Sequence, residues 1–217
     1  DRIYPQRKMT APISRARLEA FGLKLAEYKR RLAKAEQSKR GWYDEDGVRQ
    51  GGLMAFIRYY WHVLEPETKL VEGWALYAIV EHLEAVTFGE ITRLLITVPP
   101  GFMKSLCTDV FWPAWEWGPM NMAHLRYVAF SYSASLTERD NERFRDLIVH
   151  SSYRALWGSA VVPVKIGATQ VTNMRKGWKL ASSVGGVGTG ARGDRVILDD
   201  AHNIKEAESE IMRQETV

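Results

Sequence analysis

Apolar positions recur at Leu18, Phe21, Leu25, Tyr28 and Leu32, in alternating steps of three and four. That spacing lines one face of a helix and predicts a single helix from 12 to about 40, with Pro12 in its first turn. Lys and Arg crowd its other faces. Gly41 and the run Asp44-Glu45-Asp46-Gly47 break the pattern, so a linker is expected over 41–51. A second helix is expected from Leu53 to about Leu64, with Phe56, Tyr59, Tyr60 and Val63 as its stripe, ended by Glu65-Pro66. A third runs from about Glu72 to Ala85, with Trp74, Ala78, Ile79 and Leu83 on one side.

The period then changes. Arg93 to Val98 is a short, nearly continuous apolar run, as in a strand buried in a parallel sheet. It leads through Pro99-Pro100-Gly101-Phe102-Met103-Lys104-Ser105 into a helix expected from Ser105 to about Trp115. Leu125 to Phe130 reads as a strand, and Ser135 to His150 as a helix with Leu136, Phe144, Leu147 and Ile148 inward. Ala168–Met174 and Trp178–Ser182 read as strands joined by a turn at Lys176-Gly177. The glycine-rich stretch 185–190 precedes a last strand, Arg195 to Leu198. Strands alternating with helices predict an α/β domain with a mostly parallel central sheet flanked by helices, over 51–217. A basic helical arm and linker, 1–50, precede it.

Charge sharpens that division. The first forty residues hold twelve Lys and Arg against four acids, while the whole 217-residue chain carries only +4. A basic helix beside a slightly acidic body is the result. Hydrophobic residues make up 46% of the chain, enough for a packed core and too many for a disordered tail. The single cysteine, Cys107, excludes an intramolecular disulfide framework and a cysteine-rich zinc site. No apolar run reaches membrane-spanning length and no signal-peptide pattern opens the chain, so a soluble, cytoplasmic protein is expected.

Two segments carry candidate chemistry. A triphosphate can be held by backbone N–H groups at a helix start and by a lysine, with an adjacent hydroxyl reaching Mg²⁺. Lys104-Ser105 supplies that pair after an apolar run and at the start of a helix. The full glycine pattern of a P-loop is not met: Val98 and Met103 occupy the two glycine positions, and Gly101 is the loop's one glycine. The second segment, Arg195-Val196-Ile197-Leu198-Asp199-Asp200, is an apolar strand ending in two carboxylates. One such acid can hold Mg²⁺ and the next can polarise an attacking water. Both segments end strands on the side where open α/β sheets bind ligands.

Taken together, the run from Trp74 through Leu94–Ser105, the Ser131-Tyr132-Ser133 segment with the helix bearing Arg139, and Thr189–Asp194 followed by Val196–Asp200 resemble the ATPase domain of tailed-phage large terminase subunits. The resemblance covers roughly 53–205. It implies a P-loop NTPase fold and an ATP- and Mg²⁺-dependent motor moving double-stranded DNA into a procapsid in the host cytoplasm. Such a motor works as a ring on a portal, with a small terminase subunit as partner. It further implies that Pro100, Gly101, Phe102, Met103, Lys104 and Ser105 bind nucleotide, with Lys104 on the β- and γ-phosphates. Ser105 and Asp199 would hold the metal, and Asp200 would be the catalytic carboxylate, where many relatives carry Glu. Arg192 or Arg139 would act on a neighbouring subunit's nucleotide. Adenine would stack among Tyr59, Tyr60, Trp61 and Trp74. The chain departs from the family in lacking an in-loop arginine, the coupling motif after the acidic strand and the nuclease domain. Two other readings stay open: a helicase-like P-loop ATPase, and a non-catalytic DNA- or protein-binding module working through the basic helix.

Overall fold

A computed structural model describes residues 39–183 and 190–200. The basic helix, most of the glycine-rich stretch and His202 lie outside those residues. The first element is a short antiparallel hairpin, β1 (Gly41–Tyr43) with β2 (Arg49–Gly51), where a linker was expected. Its strands are too short to show a period, but Asp46-Gly47 is a hairpin-turn signal, and Gly47 has φ 73°. The hairpin is anchored by buried Glu84, whose carboxylate accepts from Gly41 N (2.9 Å), Leu53 N (2.9 Å) and Arg49 Nη2 (2.8 Å). Gly52, at φ 51°, lies so near Glu84 that a Cβ there would stand 2.1 Å from Oε1.

Helix α1 (Gly52–Leu64) follows the expected bounds and buries Leu53, Met54, Phe56, Ile57 and Tyr60. Helix α2 (Trp74–Thr87) buries Leu76, Ile79, Val80 and Leu83, but its first residue, Trp74, points outward and is 81% exposed. A continuous helical stretch from Lys104 comprises a π-helical segment (Leu106–Phe111) and then α3 (Trp112–Trp117). Pro113 lacks an N–H, and its ring crowds the carbonyl four residues back, at Asp109; widening the preceding turn accommodates both effects. Trp112 N accordingly bonds to Cys107 O, five residues back.

After β3 (Arg126–Ser131) come α4 (Ala134–Val149) and α5 (Ser151–Trp157). The chain continues through β4 (Pro163–Ile166), β5 (Gln170–Asn173), β6 (Trp178–Ser183) and β7 (Arg195–Leu198). The sheet order is β4-β5-β6-β3-β7. β6, β3 and β7 are parallel, whereas β4, β5 and β6 pair antiparallel. The domain is therefore α/β with a mixed sheet, and the expectation of a mostly parallel one is corrected by the β4–β5–β6 meander.

The strand expected over 93–98 does not form. Its residues alternate as a strand's do: Leu94, Ile96 and Val98 pack on the core while Leu95 is exposed. A strand also needs a ladder partner, and the nearest one, the outer edge of β7, is separated from residues 91–96 by a cleft of about 640 Å³. Alternate residues of β7 show which way the sheet faces. Ile197 is buried in the helical core, whereas Val196 and Leu198 are exposed. Among the described residues no helix is long and apolar enough to cross a membrane.

Candidate functional site

Parallel register puts β7, β3 and β6 side chains in rows on the core face of the sheet. Arg195, Tyr127 and Lys179 form one row, and Ile197, Ala129 and Ala181 the next. Ser131 and Ser183 continue the same parity, and Asp199 follows on β7, its N–H donating to Phe130 O at 2.8 Å. The helix that opens at Lys104 comes down on this face. It is fastened at its far end by Glu116, whose fully buried carboxylate accepts from Arg195 Nη2 at 2.8 Å and from the Tyr127 hydroxyl.

At the near end the two candidate segments meet. Lys104 Nζ lies 3.0 Å from Asp199 Oδ1 and 2.6 Å from Asp200 Oδ1. The Ser105 hydroxyl donates to Asp199 Oδ2. Partial burial pulls the Lys104 pKa down, but the hydrogen bonds to Asp200 and Asp199 outweigh it and leave it raised. The lysine is a cation at any physiological pH.

The loop itself turns through left-handed backbone at Gly101 (φ 89°) and Met103 (φ 59°). Met103 departs from the glycine pattern in side chain while adopting a backbone conformation that glycine takes most easily. Its carbonyl accepts from Cys107 N at 2.9 Å, so the helix starts at once behind the loop. Asp200 also sits at φ 47°, with its carbonyl held by Tyr132 N at 3.0 Å. That bend turns the second carboxylate back over Lys104.

Among the described residues no cluster of three or more His, Cys, Asp or Glu side chains could form a metal cage. Mg²⁺ needs none: it keeps waters and takes one or two protein oxygens together with substrate phosphates. Ser105 Oγ and Asp199, hard oxygen donors already in contact, fit that requirement.

The remaining expected residues divide. Pro100, Gly101, Phe102 and Met103 line a second cleft of about 510 Å³ with Trp61, Lys69, Glu72 and Trp74. Tyr60 is fully buried among Phe56, Tyr153 and Trp157, which removes it as a base platform. Tyr59 is partly exposed but does not line the cleft. Arg139, half exposed on α4, pairs with its neighbour Asp140 at 3.0 Å. Its pKa is raised first by that hydrogen bond and, from farther off, by the charge of Asp199. Arg192 is exposed, before β7.

Sequence reasoning missed a buried polar group behind the loop. Asp109, on the π-helical segment, is 3% exposed, and Lys179 on β6 is fully buried. Lys179 Nζ lies 3.4 Å from Asn141 Oδ1 and 5.4 Å from the Phe144 ring centroid. The only available signal was Lys179 at an inward position of the alternation in Trp178–Ser183. Compared with protein-family models, with curated proteins and with solved structures, the chain finds no match in any of the three.

Proposed function

We propose that the chain is an ATP-hydrolysing domain, and that it drives DNA packaging as the motor part of a large terminase. The observation that carries the catalytic reading is the meeting of Lys104 and Ser105, at a helix start, with Asp199 and Asp200, at the end of β7. Residues 94 to 96 positions apart in sequence supply a phosphate-binding cation, a hydroxyl and two carboxylates within one hydrogen-bonded cluster. The packaging role rests on the resemblance of the loop and acidic-strand segments to that family.

In this reading the triphosphate lies across the loop, against the N–H groups at the start of the helix. Lys104 leaves the two aspartates for the phosphates. Mg²⁺, when bound, neutralises charge on the transferring phosphoryl group, and Ser105 and Asp199 are the residues that would hold it. Asp200, freed from Lys104 and solvent-facing, accepts a proton from the attacking water. The exposed Trp74 and Phe102 flank the second cleft beside the loop and give the adenine an apolar seat. Arg192 and Arg139 are the candidates for stabilising charge at a neighbouring subunit's nucleotide.

Phosphate release from Mg-ATP, with and without double-stranded DNA, tests the proposal. Turnover that rises with DNA and disappears in Asp199→Ala supports it. Turnover that survives Asp199→Ala removes this cluster as the catalytic site.

A further inference from the structure

Two apolar surfaces meet at one place in the chain. The first is the cleft of about 640 Å³ between residues 91–96 and the outer edge of β7, lined by Val86, Ile91, Leu95, Trp112, Val196 and Leu198 among others. Leu95 is 89% exposed, and Val196 and Leu198 are each more than half exposed. β7 ends the sheet order, so among the described residues no strand pairs with its outer edge. An open edge beside apolar side chains favours aggregation unless a strand, helix or loop covers it. The second surface is the stripe Leu18, Phe21, Leu25, Tyr28 and Leu32 in the helix that the sequence predicts from residue 12. A helix of that kind draws most of its stability from burying its stripe against the rest of the protein. The join between the two lies at the rim of the cleft. Arg40 pairs with Glu90 at 2.7 Å and lies 4.8 Å from the centroid of the Phe88 ring, and the intervening Gly89 lines the cleft.

We propose that this cleft is the docking site of the chain's own N-terminal segment, residues 12–38, as a helix whose apolar stripe covers Leu95, Val196 and Leu198 and closes the outer edge of β7. Length and point of attachment assign the cleft to this occupant. At a helical rise of about 1.5 Å per residue, Leu32 stands about 12 Å from Arg40 and Leu18 about 33 Å from it. The stripe therefore starts near the rim and runs for about 21 Å, more than the roughly 13 Å of edge from Arg195 to Asp199. Attachment at Arg40 makes the docking intramolecular, so a small interface suffices to hold it. At about 100° per residue, Lys24 and Lys29 flank the stripe on its two sides, where their ammonium groups can meet the free carbonyls along β7. Arg30 falls on the opposite face, toward water. Lys104 lines the same cleft, so the docked helix presents its basic outer face beside the candidate site.

The test is amide hydrogen exchange on the full chain, read by mass spectrometry over residues 12–38, 91–98 and 194–199. Leu25→Asp removes the centre of the stripe, and Leu95→Asp places a charge on the cleft wall. Arg30→Gln makes the same change in charge on the outer face of the helix. Leu95 is exposed and Leu25 precedes the described residues, so neither substitution opens the core. Losing one buried leucine weakens docking about tenfold or more, so each aspartate variant speeds exchange by about that factor in the helix and cleft segments together. Arg30→Gln exchanges as the wild type does. A purely local effect of either substitution does not reach the other segment. An effect of Leu25→Asp confined to 12–38, or of Leu95→Asp confined to 91–98 and 194–199, overturns the proposal. Protection of the cleft segments that survives Leu25→Asp and rises with protein concentration assigns the cleft to a second copy, and overturns it as well.

Discussion

Replacing Asp200 by Asn separates binding from chemistry. Asp200 Oδ1 holds Lys104 Nζ at 2.6 Å, and the Asp200 side chain is 60% exposed. Lys104 must leave this partner to reach a phosphate, so the pair competes with nucleotide. An exposed ion pair of this kind contributes about 0.5–1 kcal/mol, and its removal tightens binding by roughly two- to fivefold. The backbone is not disturbed. Asn tolerates the left-handed conformation at φ 47° better than most residues, and the carbonyl still accepts from Tyr132 N. Turnover behaves differently. A carboxylate that takes the proton of the attacking water contributes on the order of 10²–10⁴ to the rate. Calorimetry with a non-hydrolysable analogue and a phosphate-release assay on the same preparation read the two effects. Asp200→Asn is expected to bind slightly tighter and to turn over at least about a hundredfold more slowly. Unchanged turnover refutes the assignment of Asp200 as the base. Tenfold weaker binding refutes the competition argument, because it makes Asp200 a nucleotide contact.

Three further outcomes are expected. Trp74→Ala weakens the ATP analogue about tenfold, a typical loss for a base stacked on an aromatic ring, and leaves inorganic triphosphate binding unchanged; equal losses for both would move the base elsewhere. Burial lifts the Asp109 carboxyl from its ordinary 3.8 to about 7, so the folded chain holds this proton more tightly than the unfolded chain and stability falls as pH rises between those values. Asp109→Asn removes that slope, and urea midpoints show it gaining on wild type from about pH 4 to about pH 7. Arg195→Met strands the buried Glu116 carboxylate and lowers unfolding free energy by about 3 kcal/mol, with Glu116→Gln in the same chain recovering part of it.

The candidate site was legible because its parts are local. A lysine-serine pair after an apolar run and two acids ending a strand are each visible within ten residues, and their order implied that the sheet would bring them together. Helices α1, α2 and α4 were legible from their apolar stripes. What escaped depends on partners distant in the chain. Residues 93–98 have a strand's alternation but no ladder to join. The hairpin at 41–51 has strands of three residues and is fixed by Glu84, more than thirty positions away. Trp74 shares the helical spacing of core residues and yet faces the loop cleft. Lys179 reads as any strand lysine until the register and burial put it on the core face of the sheet, level with Tyr127 and Arg195.

Under the proposed function, Lys104 belongs to a nucleotide site. Its most direct test is calorimetric titration of the folded chain and of Lys104→Ala with a non-hydrolysable ATP analogue and Mg²⁺. Charge-assisted contacts of about 1.5–3 kcal/mol predict saturable binding to the wild type and a loss of roughly ten- to a hundredfold in the variant. Equal affinity in the two proteins would remove Lys104 from any nucleotide site.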